Sequence, residues 1–393
     1  MTANLSFLKD ERVQKVLNTL DETGHSSLVV GGAARDGLRG ISPKDIDVAT
    51  SATPDEVEKI FSSQKDVSMK PTGLDHGTWT AVIGEMPIEI TTFRRDVSTD
   101  GRRATVAWAE TFEEDATRRD FTFNALGITK DGKILDPTQQ GLDDLKKGHV
   151  RFVGNAQDRC DEDALRVLRL FRFQGRMGSW PMNEDSLKAA ENTSLAHLSG
   201  ERIWSEMKGI LQTPQADKVL GAMHDTGVWD QLLPGTSLNV EQGNGLAHVM
   251  KRENDAGLEA HWGRRLYAVS SGRTRFPWPL SGKEAKRLTN MGKTPYPGDA
   301  LKTGAAMQSA EAGVDTWALG TKKNSRPQED AVLGATTPFP IKGEDMISAG
   351  VKPGPKMGKI ISALKKEWIE KDLSPNKSEM IAKIESKKID QIR

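Results

Sequence analysis

The sequence predicts an α+β fold in which a mixed α/β head is followed by an all-helical remainder. Strand-like and helix-like patterns are mixed through roughly the first 150 residues, and strand signals vanish after about residue 155. The length of 393 residues also exceeds the roughly 250–300 residues at which a single hydrophobic core stops growing. We therefore expect two or three compact units.

The predicted elements of the head are a helix over residues 13–20, a strand over 28–30, a helix over 54–61 and strands over 78–83 and 88–93. The first helix has apolar residues at helical spacing and ends before Gly24. Thr53 and Glu56 have the spacing of a capping box at the start of the second helix. A short turn over residues 84–87 separates the two later strands.

The remainder of the chain shows helical patterns. They predict helices over residues 161–173, 200–211, 216–225, 358–368 and 377–389. Residues 235–275 are mostly helical in character, without clear element boundaries. The interval 281–299 is rich in glycine and proline, so we expect a domain boundary or a surface segment there.

Composition excludes several classes of protein. The single cysteine, Cys160, excludes an internal disulfide framework and suits a reducing compartment. No apolar run reaches the roughly 18 residues that a membrane span needs. The first eleven residues lack the basic and apolar regions of an export signal. These observations predict a cytoplasmic protein.

The net charge of zero hides an uneven distribution. Residues 1–150 hold 19 Lys and Arg against 25 Asp and Glu, whereas residues 234–393 hold 26 against 18. An acidic front is typical of catalytic carboxylates, and a basic rear suits a polyanionic partner or is simply a solvated surface.

The first cluster of candidate functional residues follows the strand over residues 28–30. Gly31 and Gly32 lead into a helix that carries Arg35, an arrangement in which backbone N–H groups approach a phosphate closely. Asp45 and Asp47 are two residues apart, so on a strand both carboxylates project from one face. Alone, each pattern is typical of a turn or a surface loop. Together they predict a site for Mg²⁺ and a nucleoside triphosphate.

Two further clusters combine arginine with hydrogen-bonding side chains. In the segment from Arg118 to Asn124, an arginine is suited to phosphate and Asp120 and Asn124 to ribose hydroxyls, although the composition fits an interdomain ion-pair segment equally well. Residues 162–173 have the pattern of an amphipathic helix on which Asp163 and Arg166 are neighbours at i and i+3. Such a pair commonly forms a surface ion pair, but it also offers an acceptor and a planar donor fork to a base edge.

In order and spacing, these clusters resemble the class II tRNA nucleotidyltransferases, a family of CCA-adding enzymes and bacterial poly(A) polymerases. The family's motifs match Gly31 to Asp36 with Asp45 and Asp47, then Arg118 to Asn124, then Glu162, Asp163 and Arg166. A linking motif resembles Asp136, Gly141 and Asp144. The resemblance is dense over residues 28–176 and weaker in the helical remainder.

The resemblance implies a polymerase-β-like nucleotidyltransferase head with a mixed β-sheet, followed by helical neck, body and tail domains that hold tRNA. The corresponding boundaries are 1–137, 138–200, 201–290 and 291–393. It also implies that Asp45 and Asp47 bind Mg²⁺ and are catalytic, and that Asp163 and Arg166 select CTP or ATP. The nucleotide-binding residues that it implies are Gly32, Arg35, Arg119, Asp120, Asn124, Asp163, Arg166, Arg169 and Arg172.

The expected reaction is the addition of C, C and A to the 3′ end of tRNA from CTP and ATP, without a nucleic-acid template. Within the family, CC-adding or A-adding specialists and a poly(A) polymerase are alternatives. The Gly-x-x-His-Gly-Thr pattern over residues 73–78 resembles the CCA-adding branch, and residues 92–108 resemble the loop used when switching to A addition. A non-catalytic RNA-binding protein and a small-molecule nucleotidyltransferase are alternatives from other classes.

Two residues lie at the margin of these patterns. Glu89 is a candidate third metal carboxylate, although its place on a strand favours an outward-facing acid. His224 and Asp225 invite comparison with a phosphohydrolase, but without companion residues we expect them on a helix surface. The sequence predicts no oligomeric state.

Overall fold

The protein forms two compact units. The computed structural model describes residues 2–73, 77–99, 104–241, 243–322, 324 and 326–385. The first unit comprises the described residues up to Ile210 together with Ala222–Leu232, and the second comprises Leu211–Gly221 together with the described residues from Leu233 onward. The four finer boundaries stay a prediction.

The strands lie in the first unit. Seven of them form one mixed sheet in the order β3-β4-β5-β2-β1-β8-β9, and β6 and β7 form a separate antiparallel pair. The strands are β1 (Ser27–Val30), β2 (Ile46–Thr50), β3 (Val67–Gly73), β4 (Thr78–Ile83), β5 (Met86–Thr92), β6 (Arg94–Thr99), β7 (Ala104–Trp108), β8 (Gly127–Ile128) and β9 (Ile134–Leu135).

Helices surround the sheet and form the remainder of the described chain. Up to Leu232 they are α1 (Glu11–Glu22), α2 (Gly31–Leu38), α3 (Pro54–Ser62), α4 (Phe112–Thr117), α5 (Gly141–Lys147), α6 (Ala156–Glu162), α7 (Leu165–Met177), α8 (Glu184–Asn192), α9 (Gly200–Leu211), α10 (Ala216–Asp225) and α11 (Val228–Leu232). Those that follow are α12 (Leu246–Asp255), α13 (Trp262–Val269), α14 (Gly282–Gly292), α15 (Ala300–Met307), α16 (Ala310–Leu319), α17 (Pro327–Thr336), α18 (Gly343–Ser348), α19 (Pro355–Glu370) and α20 (Lys377–Glu385). The predicted fold class, a mixed-sheet head with a helical remainder, is confirmed.

Local sequence signals account for the elements of the head. The apolar face of α1 is fully buried, and Gly24 beyond its end has a φ of +87°, a conformation that favours glycine. Thr53 and Glu56 form the predicted capping box at α3. Gly84, with a φ of +62°, makes the turn between β4 and β5. These predictions are confirmed.

Sheet register brings the candidate residues together. β1 is antiparallel to β2, with Val30 opposite Asp47. β2 is parallel to β5, with Asp47 opposite Glu89. Because α2 begins at Gly31, directly after β1, the two glycines lie at the same end of the sheet as Asp47.

The predicted helix over residues 161–173 is wrong at one point. The chain breaks between α6 and α7, where Asp163 has an extended backbone with a φ of −154°. The Asp163 carboxylate accepts a hydrogen bond from the backbone N–H of Leu165, the first residue of α7, at 3.1 Å. Arg166, Arg169 and Arg172 therefore lie on α7, whereas Asp163 lies before that helix.

One further expectation is corrected. Asp45 is an exposed residue in the bend before β2, so the Asp45–Asp47 pair does not lie entirely on a strand. The interval 281–299 contains the helix α14, which begins with a capping box of Ser281 and Glu284, and the expected domain boundary or surface segment there stays a prediction. Residues 74–76, 100–103 and 386–389, on which parts of the expectations rest, lie outside the described residues.

The second unit is helical and contains a buried cluster of charges. Glu253 accepts hydrogen bonds from Arg264 and Arg265, each side chain being nearly inaccessible to solvent. Arg265 also donates to the backbone carbonyls of Leu211 and Thr213. These contacts satisfy charges that would be costly to bury unpaired. Across the described ranges, no helix is long and apolar enough to cross a membrane.

Candidate active site

The site is built around the turn from β1 into α2. Gly31 has a φ of +63°, and a Cβ atom there would lie 3.2 Å from the carboxylate oxygen Oδ2 of Asp47. Both the backbone conformation and the close approach therefore favour glycine at this position. The result is a backbone surface that meets a carboxylate without an intervening side chain.

The carboxylates of Asp45, Asp47 and Glu89 lie near this turn, and their repulsion contributes to a raised pKa at Asp47. Asp47 is partly buried, whereas Asp45 and Glu89 are exposed. Burial, reinforced by the negative charges of Glu89 and Asp45, raises the pKa of Asp47 to about 6. Glu89 thus faces solvent as expected, and it also acts electrostatically on Asp47.

The donor set suits a hard divalent cation, because carboxylate oxygens are its preferred ligands and a bound cation would relieve the repulsion at Asp47. Within the described ranges, no group of three or more His, Cys, Asp or Glu side chains is arranged to hold a metal ion.

A chain of buried hydrogen bonds joins the first and second predicted clusters to α7. Arg35 donates to the side-chain oxygen of Asn124 at 3.0 Å, and Asn124 donates to Asp120 at 2.9 Å. Arg169 donates to the other Asp120 oxygen at 2.7 Å. Burial would raise the pKa of the Asp120 carboxyl, but Arg169 and the Asn124 amide hold it below its ordinary value. These four predicted site residues are therefore brought together.

Three arginines of the site pack around the ring of Phe173. The guanidinium carbons of Arg35, Arg169 and Arg172 lie 5.2, 5.5 and 5.0 Å from the centre of its ring. The ring itself is buried against Phe121 and Phe123. A rigid aromatic core thus holds three positive charges in one small region.

Asp163 and Arg166, the residues predicted to select the base, do not pair with each other. The Arg166 guanidinium contacts Glu162 and donates to the backbone carbonyls of Arg159 at 3.0 Å and Arg118 at 3.1 Å. Asp163 instead lies 2.7 Å from the NH2 atom of Arg202 on α9. Sequence spacing suggested a direct Asp163–Arg166 pair, whereas the break before α7 gives each residue separate partners.

Two acidic residues that sequence patterns did not single out organise the site arginines. Glu206 on α9 is buried and lies 2.7 Å from Nε of Arg172 and 3.9 Å from NH1 of Arg169. Asp115 on α4 is buried and binds Arg118 and Arg119. The sequence offers no distinguishing signal for either, because a solvated acid on an amphipathic helix has the same spacing.

Asp115 is a shared acceptor for several donors. One of its oxygens accepts from the backbone N–H of Arg94 at 3.1 Å and from NH2 of Arg118 at 2.8 Å. The other accepts from Nε and NH2 of Arg119 at 3.0 and 2.7 Å. Burial opposes the charge, yet Arg119 and Arg118 hold the pKa of Asp115 below its ordinary value. Asp115 therefore fixes the direction of Arg119.

The linking motif has a structural role in the first unit. Asp136 accepts from the backbone N–H of Leu142 at 2.9 Å, and buried Asp144 accepts from the hydroxyl of Thr122 at 2.7 Å. A Cβ atom at Gly141 would lie 2.4 Å from the carbonyl oxygen of Thr122. This close approach joins the start of α5 to the segment that carries Asp120 and Asn124.

Comparisons with known proteins identify the family to which the chain is similar. Residues 27–151 match the family described as "Poly A polymerase head domain", and residues 186–238 match "Probable RNA and SrmB- binding site of polymerase A". The mitochondrial CCA tRNA nucleotidyltransferase 1 of Mus musculus is 31% identical over 95% of this chain and 90% of its own length. The CCA-adding enzyme of Limosilactobacillus fermentum is 31% identical over 93% and 94%.

Solved structures give the same result. The Bacillus stearothermophilus CCA-adding enzyme, solved in complex with CTP, is 25% identical with a TM-score of 0.72, covering 96% of this chain and 97% of that one. The Thermotoga maritima CCA-adding enzyme, solved with tRNA, shares the fold at 18% identity and a TM-score of 0.69, covering 98% and 99%. Because relatives at 31% identity match it along nearly its whole length, the chain belongs to the family of CCA-adding enzymes, the CCA tRNA nucleotidyltransferases.

Proposed function

We propose that this chain adds C, C and A to the 3′ end of tRNA from CTP and ATP, without a template and with release of pyrophosphate. The observation that carries the proposal is the approach of the Gly31 backbone to Asp47, a carboxylate whose pKa is raised beside two further acids. Its similarity to enzymes named for CCA addition, one of them solved with CTP, supports the choice of reaction.

Asp45 and Asp47 are the proposed ligands of Mg²⁺, and they are the catalytic residues of the reaction. When bound, Mg²⁺ activates the attacking 3′-hydroxyl and stabilises the leaving pyrophosphate of an in-line displacement. The exposed carboxylate of Asp45 and the half-buried carboxylate of Asp47 supply hard oxygen ligands from one end of the sheet.

The triphosphate is proposed to lie against the start of α2. There no side chain of the described residues caps the first turn of α2 by a hydrogen bond, and the helix dipole favours negative charge. Arg35 and Arg119 contribute positive charge close enough to Asp47 to oppose the rise in its pKa. Asp120 and Asn124, already joined by a hydrogen bond, are the proposed ribose contacts, and Arg169 and Arg172 complete the nucleotide site.

Base selection is proposed to use the hydrogen-bond donors of Arg166 and acceptors of Asp163 that contacts within the protein leave unused. A guanidinium has five N–H groups, and the three contacts of Arg166 engage its NH1 and NH2 atoms without using Nε–H. The oxygens of Asp163 each accept one protein hydrogen bond and retain a second lone pair. Arg166 and Asp163 can therefore meet a base edge without first releasing their partners.

The experiment that tests the reaction supplies purified protein with tRNA lacking its terminal CCA, together with CTP and ATP, separately and combined, and sequences the products. We expect CCA ends when both nucleotides are present and CC ends with CTP alone. Products ending only in CC, or only in a single A on a CC-ended substrate, would identify a specialist. A long A tail would identify a poly(A) polymerase. Absence of incorporation would favour the alternative of a non-catalytic RNA-binding protein.

Asp115→Asn tests the positioning of Arg119. The amide keeps the size of the side chain but loses its charge and one acceptor, so Arg119 is no longer held by two hydrogen bonds. We expect the KM for both CTP and ATP to rise roughly tenfold, equivalent to about 1.4 kcal/mol, while tRNA affinity is unchanged. Steady-state kinetics with each nucleotide and a tRNA binding assay measure the two quantities.

The matched control is Asp143→Asn, since Asp143 is an exposed helical acid paired with Lys147. It should leave every parameter unchanged because exposed ion pairs contribute little. If Asp115→Asn lowered the melting temperature but left both nucleotide KM values as they were, Asp115 would be structural only. A cytoplasmic location stays a prediction, because the relatives include bacterial and mitochondrial enzymes.

A further inference from the structure

Two arginines outside all the predicted motifs lie beside the candidate site. Arg39 directly follows α2, and its backbone N–H bonds to the carbonyls of Arg35 and Asp36. Arg176 lies in the last turn of α7, where its NH2 atom is 3.0 Å from Oδ2 of Asp36. Asp36 therefore joins the end of α7 to the helix that carries the glycine turn.

The surroundings of Asp36 are strongly positive. Its other oxygen accepts from Nε of Arg35 at 2.9 Å, so one carboxylate is shared by two arginines. Arg39 lies one helical turn beyond Arg35, and Arg172 one turn before Arg176. Burial, together with the positive charges of Arg176 and Arg35, lowers the pKa of the Arg39 guanidinium despite the attraction of Asp36.

These arginines differ in solvent exposure and in the number of their hydrogen-bond and ion-pair partners. The Arg35 side chain is only 7% exposed, whereas that of Arg176 is 45% exposed. Within the part of the chain that the structure describes, no hydrogen bond or ion pair engages the Arg39 guanidinium. Arg176 thus presents donor groups to solvent beside the proposed nucleotide site, and the half-buried guanidinium of Arg39 adds unengaged donors to the same positively charged cluster.

A structural role alone explains part of this arrangement. Both arginines lie at helix C-termini, where a cation stabilises the helix dipole by about 0.3–1 kcal/mol. That role does not require three arginines to gather around one carboxylate: Arg35 and Arg176 both contact Asp36, and Arg39 lies close enough to feel the charges of all three. Convergence of planar donor forks is instead typical of a phosphate site.

The position of Arg39 along α2 indicates whether it meets the triphosphate of the nucleotide or a phosphate of the RNA. With a rise of about 1.5 Å per residue, Arg39 lies roughly 10–12 Å along the axis from the Gly31–Gly32 turn. Arg39 therefore follows the end of α2 opposite to the start of α2, where the triphosphate is proposed to lie. We propose that Arg39 and Arg176 form a subsite for a phosphodiester of the RNA that receives the nucleotides. The proposal rests on the proposed function, which supplies the RNA substrate.

The test uses the full chain with Arg39→Gln, Arg176→Gln and the double variant. We expect the Kd and KM for tRNA lacking CCA to rise roughly tenfold in the double variant, since each lost phosphate contact removes counterion release. The slope of log Kd against log salt concentration should fall in magnitude by roughly 1–2. The KM for CTP should be unchanged, and Arg176→Lys should retain most of the tRNA affinity.

Arg12→Gln is the matched control, because the Arg12 side chain is 44% exposed and pairs with Asp10 at the start of α1. It should not change tRNA binding. A raised KM for CTP with unchanged tRNA affinity would assign the arginines to the triphosphate and overturn the proposal. So would a lower melting temperature with unchanged KM and Kd values.

The wild-type protein separates this proposal from the proposed function. Incorporation by the wild type tests the reaction, whereas direct tRNA binding tests the subsite without any turnover. Arg39→Gln alone breaks no contact in the described structure, so it is expected to fold even if Arg176→Gln does not. Unchanged tRNA affinity in a folded Arg39→Gln protein, with unchanged affinity in any folded double variant, contradicts the proposal.

Discussion

Asp47→Asn is expected to abolish nucleotide incorporation while the protein remains folded and binds tRNA. The substitution keeps the shape of the side chain but removes a charged metal ligand, which is worth several kcal/mol of transition-state stabilisation and hence about a thousandfold or more in rate. Asp45→Ala should have the same effect on incorporation. Single-turnover assays with tRNA lacking CCA measure the rate, and a binding assay measures the affinity.

The stability of the Asp47→Asn variant provides a second readout. Burial and neighbouring acids raise the pKa of Asp47 to about 6, so at pH 7 the folded protein holds a charge that it disfavours. Because the pKa of Asp47 is raised in the folded protein, the free energy of unfolding falls as the pH rises from the pKa of the unfolded state to about 6. The loss persists at higher pH. Asparagine removes this penalty, so the metal-free variant should melt at the same temperature as the wild type or higher.

The control is Asp131→Asn, an exposed acid in the turn between β8 and β9, which should change neither rate nor stability. Retained turnover in Asp47→Asn would contradict the assignment of the metal site. A marked loss of melting temperature would show instead that Asp47 supports the fold. An inactive protein with undiminished stability separates a functional carboxylate from a structural one.

Features that depend on nearby residues could be predicted from the sequence. The glycines after β1, the capping box of α3 and the strands β1 and β5 on either side of Asp47 follow from propensity, turn chemistry and apolar spacing. The family resemblance implied that Asp120 and Arg169 belong to one site, and in the structure the Arg169 side chain on α7 contacts Asp120. Local signals thus predicted the elements, and the resemblance predicted which residues form the site.

The partners within the site could not be predicted. Apolar spacing continues across Asp163, so it conceals the break that turns this side chain toward Arg202. Asp115 and Glu206 look like solvated helix acids until the fold buries them beside arginines. Pairing depends on tertiary distance and burial, which the spacing of charges along one chain does not encode.

Arg166→Ala is expected to blur the choice between CTP and ATP. The residue is held rigidly by Glu162 and two backbone carbonyls, so its Nε–H group has a defined direction. Loss of one well-placed contact to a base edge costs about 1–3 kcal/mol of discrimination, or roughly five- to 150-fold. The ratio of kcat/KM for CTP and ATP, measured on tRNA lacking CCA and on tRNA ending in CC, tests this.

Arg159→Ala is the matched control for Arg166→Ala. Arg159 contacts the same Glu162 carboxylate and donates to the carbonyl of Thr117, but it has no proposed contact with the base. Its removal should lower stability or overall rate while preserving the nucleotide preference, since Arg166 keeps its backbone partners. If Arg166→Ala preserved the preference as well, the base would be recognised elsewhere. If both variants blurred it, Glu162 and the stiffness it imposes on Arg166 would determine selection, rather than the Arg166 donor itself.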